Sequence, residues 1–296
     1  AGRGFDGIPV VLANTDATLQ NPRVFSQAGG FSAWSIAVDD FNADGRPDLV
    51  AANDLASTVS VLLGNGDGTL HYWQSFDAGS GPTSIATADF NGDGTPDLAV
   101  AHEQDGTVEG SSTVSILLGG NNTTFDAPLL FSVGSSSWSI SAGDFDQDGA
   151  SDLAVANTYS TTVSVLLGRG DGHFPAALTL GVGHNPESLT AADFNGDGRP
   201  DLAVSNAGSN TVSMLIANGP GTFAPAASFG VGDAPVFVTV GDFNGDHRVD
   251  LVLANYGAHD YNSPTVGSTV SVLIGNGDGT FQPRSDLQAG SGPHGI

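Results

Sequence analysis

The chain has 296 residues, with 42 Gly, 15 Pro, one Met, three Glu and no Cys, a composition that fits one large all-β domain and argues against long helices. Its 32 acidic side chains face 7 basic ones, all Arg, for a formal charge of −25. That charge argues against nucleic acid and anionic membrane as partners, no stretch of about 18 apolar residues offers membrane insertion, and the lack of Cys excludes disulfides and thiolate metal sites.

In chain order, residues 1–30 read as two strands of a split blade. Ile8, Val10 and Val11 lead into an Asn/Thr/Asp turn, and a second apolar segment follows Pro22. Full repeats then cover residues 31–80, 81–134, 135–183, 184–232 and 233–289, and residues 290–296 repeat the start of a further one. Within each repeat, strand A is typified by Ser84-Ile85-Ala86-Thr87-Ala88 and ends at an acidic loop. Strand B follows the loop, strand C is a Thr-Val-Ser-Val-Leu-Leu run, and an Asn-Gly or Asp-Gly turn leads to strand D. Short β-branched runs broken by Gly, Asn, Asp and Pro predict strands. Four antiparallel strands per about 40 to 50 residues predict a β-propeller blade. The expected fold is all-β, with five complete blades and a split, incomplete sixth that lacks an acidic loop and strand B. An open ring, a strand supplied by a neighbouring chain, or a longer parent protein would each account for that sixth blade. Ala1-Gly2-Arg3-Gly4 carries neither Met nor an apolar signal segment, so a mature, secreted or cell-surface chain is expected.

The acidic loop follows Asp-Phe-Asn-x-Asp-Gly-x-x-Asp-Leu and begins at Asp40, Asp89, Asp144, Asp193 and Asp242, at spacings of 49, 55, 49 and 49 residues. Calcium takes six to eight oxygens at about 2.3 to 2.6 Å, which alternate side chains of one short loop can supply. The first set is Asp40, Asn42, Asp44 and Asp48, at positions 1, 3, 5 and 9, with the carbonyl of Arg46 at position 7. The others are Asp89, Asn91, Asp93, Thr95 and Asp97; Asp144, Asp146, Asp148, Ala150 and Asp152; Asp193, Asn195, Asp197, Arg199 and Asp201; and Asp242, Asn244, Asp246, Arg248 and Asp250. About five Ca²⁺ ions, one per loop, would bring the formal charge from −25 to −15. Position 6 is Gly in four loops and His247 in the fifth. Because that position needs a left-handed backbone, site five is expected to be the weakest. Ion-free Asp/Asn/Gly turns are the plainer alternative.

The run Asp89-Phe90-Asn91-Gly92-Asp93-Gly94-Thr95-Pro96-Asp97-Leu98, with its counterpart at 193–202, resembles the FG-GAP/VCBS repeats of integrin α-subunit propellers and many bacterial surface proteins. The resemblance covers essentially the whole chain. It implies a calcium-binding propeller, commonly of seven blades in that family, and recognition or adhesion rather than catalysis.

The acidic loops and the C–D turns share one face of a propeller; the B–C and D–A connections lie on the other. On that second face Trp34 and Trp138 occupy the same repeat position, six residues before the first loop Asp, where Thr83, Glu187 and Val236 stand elsewhere. The B–C connection of the fifth repeat is nine residues longer than the usual eleven and carries Tyr256, His259 and Tyr261. These aromatics form the expected ligand face for a glycan or surface protein. Padding of the seams between blades is the plainer reading of the two Trp residues. Asn121-Asn122-Thr123-Thr124 holds two overlapping glycosylation sequons. The seven His are scattered, and no nucleophile elbow, His-Glu-x-x-His or phosphate loop is present. An enzyme is therefore not expected. The alternatives to a recognition module are a structural subunit whose copies complete each other's split blade, and a propeller hydrolase or lyase.

Overall fold

The five strands B, at Asp48–Asn53, Asp97–His102, Asp152–Asn157, Asp201–Asn206 and Asp250–Asn255, are apolar runs without polar alternation, and every residue in them is buried. Such runs belong in strands covered on both faces. In the computed structural model each pairs with strand A on one side and strand C on the other, and strand D is outermost. The result is five four-stranded antiparallel sheets, the blades of a propeller. The structure describes residues 8–11, 19–25, 33–103, 112–120, 123–257, 268–290 and 292–295. No helix there is long and apolar enough to cross a membrane.

Blade one comprises Ala33–Asp39, Asp48–Asn53, Thr58–Gly64 and Leu70–Asp77. Blade two comprises Pro82–Ala88, Asp97–His102, Ser112–Leu117 and Leu129–Val133. Blade three is Ser137–Gly143, Asp152–Asn157, Thr162–Leu166 and Leu178–Gly181. Blade four is Pro186–Ala192, Asp201–Asn206, Thr211–Leu215 and Ala227–Gly230. Blade five is Pro235–Gly241, Asp250–Asn255, Thr269–Leu273 and Ser285–Gln288. Ahead of them Ile8–Val10 pairs antiparallel with Arg23–Phe25, and Ile8 packs on Leu49, Ala51 and Leu62 of blade one.

The core is distributed over the seams. Val50, Val59 and Val61 of blade one meet Ile85, Leu98 and Val100 of blade two, and the next three seams repeat the arrangement. Two further connectors recur at every seam. A serine near the start of each strand A accepts the backbone N–H of the next blade: Ser35 from Ile85, Ser84 from Ile140, Ser139 from Leu189 and Ser188 from Val238. The Phe at loop position 2 meets a Phe of the next blade edge to face: Phe41 with Phe125, Phe90 with Phe174, Phe145 with Phe223, and Phe194 with Phe281. Among the described residues the outer flanks lack these partners. Phe243 is 51% exposed on blade five, and Ile36 and Val38 are 50% and 57% exposed on blade one.

Candidate functional site

The acidic loops share one backbone conformation. Position 6 is left-handed in all five, at Gly45, Gly94, Gly149, Gly198 and His247, with φ between 65° and 90°. Position 4 is left-handed too, at Ala43, Gly92, Gln147, Gly196 and Gly245. That second kink has no sequence signal in loops one and three, where Ala and Gln adopt it. The two kinks turn the chain so that side chains 1, 3 and 5 accept backbone N–H groups of the loop itself. Asp40 accepts from Asp44 and Gly45, Asn42 from Asp44, and Asp44 from Arg46. The same bonds recur in the other four loops, as at Asp89, Asn91 and Asp93 and at Asp144, Asp146 and Asp148.

Position 9 has a different task. Asp97 is fully buried; its Oδ2 accepts the N–H of Phe90 at 2.8 Å and its Oδ1 that of Gly119 at 2.6 Å. Asp48, Asp152, Asp201 and Asp250 make the matching pair of bonds. The carboxylate thus ties the loop to the end of strand C while each oxygen keeps a free lone pair. Burial pushes the carboxyls of Asp97, Asp152 and Asp201 up to about 6, and the neighbouring loop carboxylates add to the rise against the opposing N–H bonds. Asp48 moves the same way for the same reasons.

The donor set fits a hard divalent cation. In loop three, oxygens of Asp144, Asp146 and Asp152 lie within 4.8 Å of one another. Loops one, two, four and five place an Asn amide at position 3, adding an oxygen without a charge. Carbonyl, carboxylate and amide oxygens with no nitrogen or sulfur suit Ca²⁺ better than softer metals. Loop five departs in its side chain and not in its backbone: His247 donates its N–H to Asp242, as Gly does elsewhere, and its ring stands 3.7 Å from the same carboxylate.

About 20 Å away, at the opposite ends of the strands A, lies the second feature (six residues separate Trp34 from Asp40). Trp34, Thr83, Trp138, Glu187 and Val236, the equivalent position of all five blades, line one cavity of about 940 Å³. Trp34 and Trp138 lie inside strands A rather than in the D–A links. Their rings meet edge to face, centroids 5.4 Å apart, over the intervening blade two. The rings line the cavity and do not pad a seam between neighbouring blades. Tyr256 and His294 complete one side, with ring centroids 4.9 Å apart. Glu187 has no sequence motif to announce it, yet burial alone pushes its carboxyl up to about 7. Among the described residues it is the one acidic side chain lining the cavity, and no Lys or Arg lines it. His259, Tyr261, Asn121 and Asn122 lie outside the described residues.

The sequence profile of the FG-GAP-like repeat matches residues 40–100, 144–204 and 200–253, more than half of the chain. The chain belongs to the FG-GAP-like repeat family. Each matched segment of this FG-GAP-like protein begins within an acidic loop and ends inside strand B of the following blade. Solved structures share its fold at low identity. A functionally unknown protein from Desulfotomaculum acetoxidans DSM 771 superposes with a TM-score of 0.65 at 12% identity, covering 94% of this chain and 76% of that one. A protein from Lactobacillus plantarum gives 0.63 at 19% identity, with 95% and 77% covered. A candidate 6-phosphogluconolactonase from Bacteroides fragilis NCTC 9343 gives 0.65 at 13% identity, with 98% and 84% covered. No curated protein sequence matches the chain.

Proposed function

We propose that this FG-GAP-like propeller is an extracellular recognition module, stabilised by one Ca²⁺ in each acidic loop, that binds a glycan or surface protein on the opposite face. The observation that carries the calcium reading is the identical left-handed pair at positions 4 and 6 in five separate loops. Side chains 1, 3, 5 and 9 and the carbonyl of position 7 hold the ion, as Asp89, Asn91, Asp93, Asp97 and Thr95 do in loop two. A divalent charge beside Asp97 offsets the like-charge and burial penalties on its carboxylate. The net charge of −25 makes the same demand on the whole molecule.

Thermal unfolding of chelator-stripped protein, titrated with Ca²⁺ and separately with Mg²⁺ while bound metal is counted, tests this reading. A Ca²⁺-selective rise in Tm with four or five ions bound is expected. Absence of both the shift and bound metal would reduce the loops to turns. For the recognition face, glycan arrays and cell-surface protein screens compare wild type with Trp34→Ala. Unchanged binding of every partner removes that face from the proposal.

A second reading, self-association, is favoured by the exposed flanks. Ile36 and Val38 on blade one and Phe243 on blade five are the seam groups that elsewhere bury against a neighbour, and a second copy would cover them. Sedimentation of wild type against Phe243→Asp decides this; a wild-type monomer at high concentration removes it.

A further inference from the structure

We propose that the cavity between the strands A takes an organic ammonium cation, its alkyl groups against the indoles of Trp34 and Trp138 and its charge opposite the Glu187 carboxylate. This inference rests on the recognition reading and assigns that face a ligand chemistry.

The argument begins with what lines the cavity. The perpendicular indoles of Trp34 and Trp138 form a two-walled aromatic corner, and Tyr256 and His294 add a second aromatic pair. An aromatic face attracts a desolvated cation through its quadrupole, most strongly when the face is Trp. Among the described residues one carboxylate lines the same cavity, and no Lys or Arg does. Among the described residues no group hydrogen-bonds to Glu187. A half-buried carboxylate without a partner loses solvation and gains nothing in return, and the raised carboxyl of Glu187 reflects that. A cation of matching size would supply the missing charge.

A neutral sugar suits the cavity less well. Sugars are held by several hydrogen bonds, and each lining seryl and threonyl hydroxyl already makes at least one bond within the fold. Ser35, Ser84, Ser139 and Ser188 accept backbone N–H groups across the seams. Thr83 donates to the carbonyls of Ala101 and Ser137. The charge of the whole chain, −25, also concentrates cations rather than anions near its surface.

The experiment uses the full chain loaded with Ca²⁺. Choline, its neutral carbon isostere 3,3-dimethylbutan-1-ol and Nα-acetyl-lysine amide are titrated by calorimetry, with tryptophan fluorescence as a second readout. Saturable choline binding, with the isostere at least tenfold weaker, is expected. Glu187→Gln, nearly isosteric, should lower choline affinity at least tenfold with no loss of Tm. Trp34→Ala, at a position already 37% exposed, should weaken choline binding at least tenfold as well. Lysine amide binding as tightly as choline would assign the ammonium to a peptide side chain; preference for choline would assign it to a quaternary head group. Equal binding of the isostere and choline, or no saturable binding of either ammonium, overturns the inference. If a glycan or surface protein still binds in a Trp34-dependent manner when choline does not, the ammonium assignment fails and the recognition face stands. If neither binds, both fail.

Discussion

Trp34 and Trp138 lie in strands A of blades one and three, yet their ring centroids are 5.4 Å apart and nearly perpendicular. Blade two presents Thr83 at the same position, a side chain small enough to let the rings meet over it. The contact distinguishes cavity lining from seam padding. An edge-to-face pair contributes about 0.5–1.5 kcal/mol beyond area burial, whereas truncating a large seam aromatic costs about 3–5 kcal/mol. Trp34→Ala should therefore lower the unfolding free energy of the Ca²⁺-loaded protein by about 1–2 kcal/mol in urea. A loss at the seam value would return Trp34 to a core role.

Phe145 and Phe243 offer an internal control on that scale. Both stand at loop position 2, but Phe145 is fully buried against Phe223 and Phe243 is 51% exposed. Phe145→Ala should cost about 3–5 kcal/mol, and Phe243→Ala less than about 1 kcal/mol in a monomer. Equal losses in denaturant melts would mean that Phe243 is covered in solution.

Asp93 and Asp97 of loop two should respond differently to amidation. Asp93 accepts the Thr95 N–H and the Asn91 amide at the surface, and these bonds hold its carboxyl below the ordinary range. In chelated protein Asp93→Asn should therefore be neutral or slightly destabilising. In Ca²⁺ it should lower Tm, because a ligand charge is lost. Asp97→Asn puts an N–H₂ group where one of two backbone N–H donors needs an acceptor, so it should cost about 2 kcal/mol or more with or without metal. Parallel melts of both variants in chelator and in Ca²⁺ read the difference.

His247 is held at φ 65°, a conformation that strains a residue bearing a Cβ by on the order of 1 kcal/mol. His247→Gly should relieve that strain and tighten the weakest Ca²⁺ step a few-fold, visible in calorimetric titration as a more uniform set of five sites. An unchanged isotherm would mean that loop five owes nothing to its backbone.

Glu187 gives the pH dependence. Its carboxyl is raised from 4.5 to about 7 in the folded protein, so the folded state binds the proton more tightly than the unfolded chain. The stability it contributes is present below pH about 4.5 and lost as pH rises through about 7. Glu187→Gln should therefore match wild type at pH 4 and exceed it at pH 8. The gain should be about 1–2 kcal/mol, less than the full shift implies because the side chain is only half-buried. A variant no more stable than wild type at pH 8 would show that water reaches the carboxylate freely.

The blades were legible in the sequence because each strand class has its own signature. Strands B are unbroken apolar runs, and the loops at Asp40, Asp89, Asp144, Asp193 and Asp242 keep their residues in register. The repeat position of Trp34, Thr83, Trp138, Glu187 and Val236 was legible as well, but its meaning was not. Nothing in a linear spacing shows that five side chains about 50 residues apart converge on one cavity. Glu187 reads as an ordinary acid among 32 until its surroundings are known. The left-handed residues Ala43 and Gln147 were equally hidden, because L side chains at positive φ are imposed by the loop and not by their own preference.

The connectors that join the blades have a consequence for how such a molecule changes length. Every described junction uses the same parts: a serine oxygen for the next N–H, a phenylalanine for the next turn, and strand-B and strand-C side chains sharing a seam cluster. These shared parts do not identify which blade they join. Duplication or loss of one whole unit, such as the 49 residues between Asp144 and Asp193, would leave chemically equivalent junctions on either side. Copy number is then a property of the outer flanks and of what closes them, and it can drift without any single blade having to be reinvented.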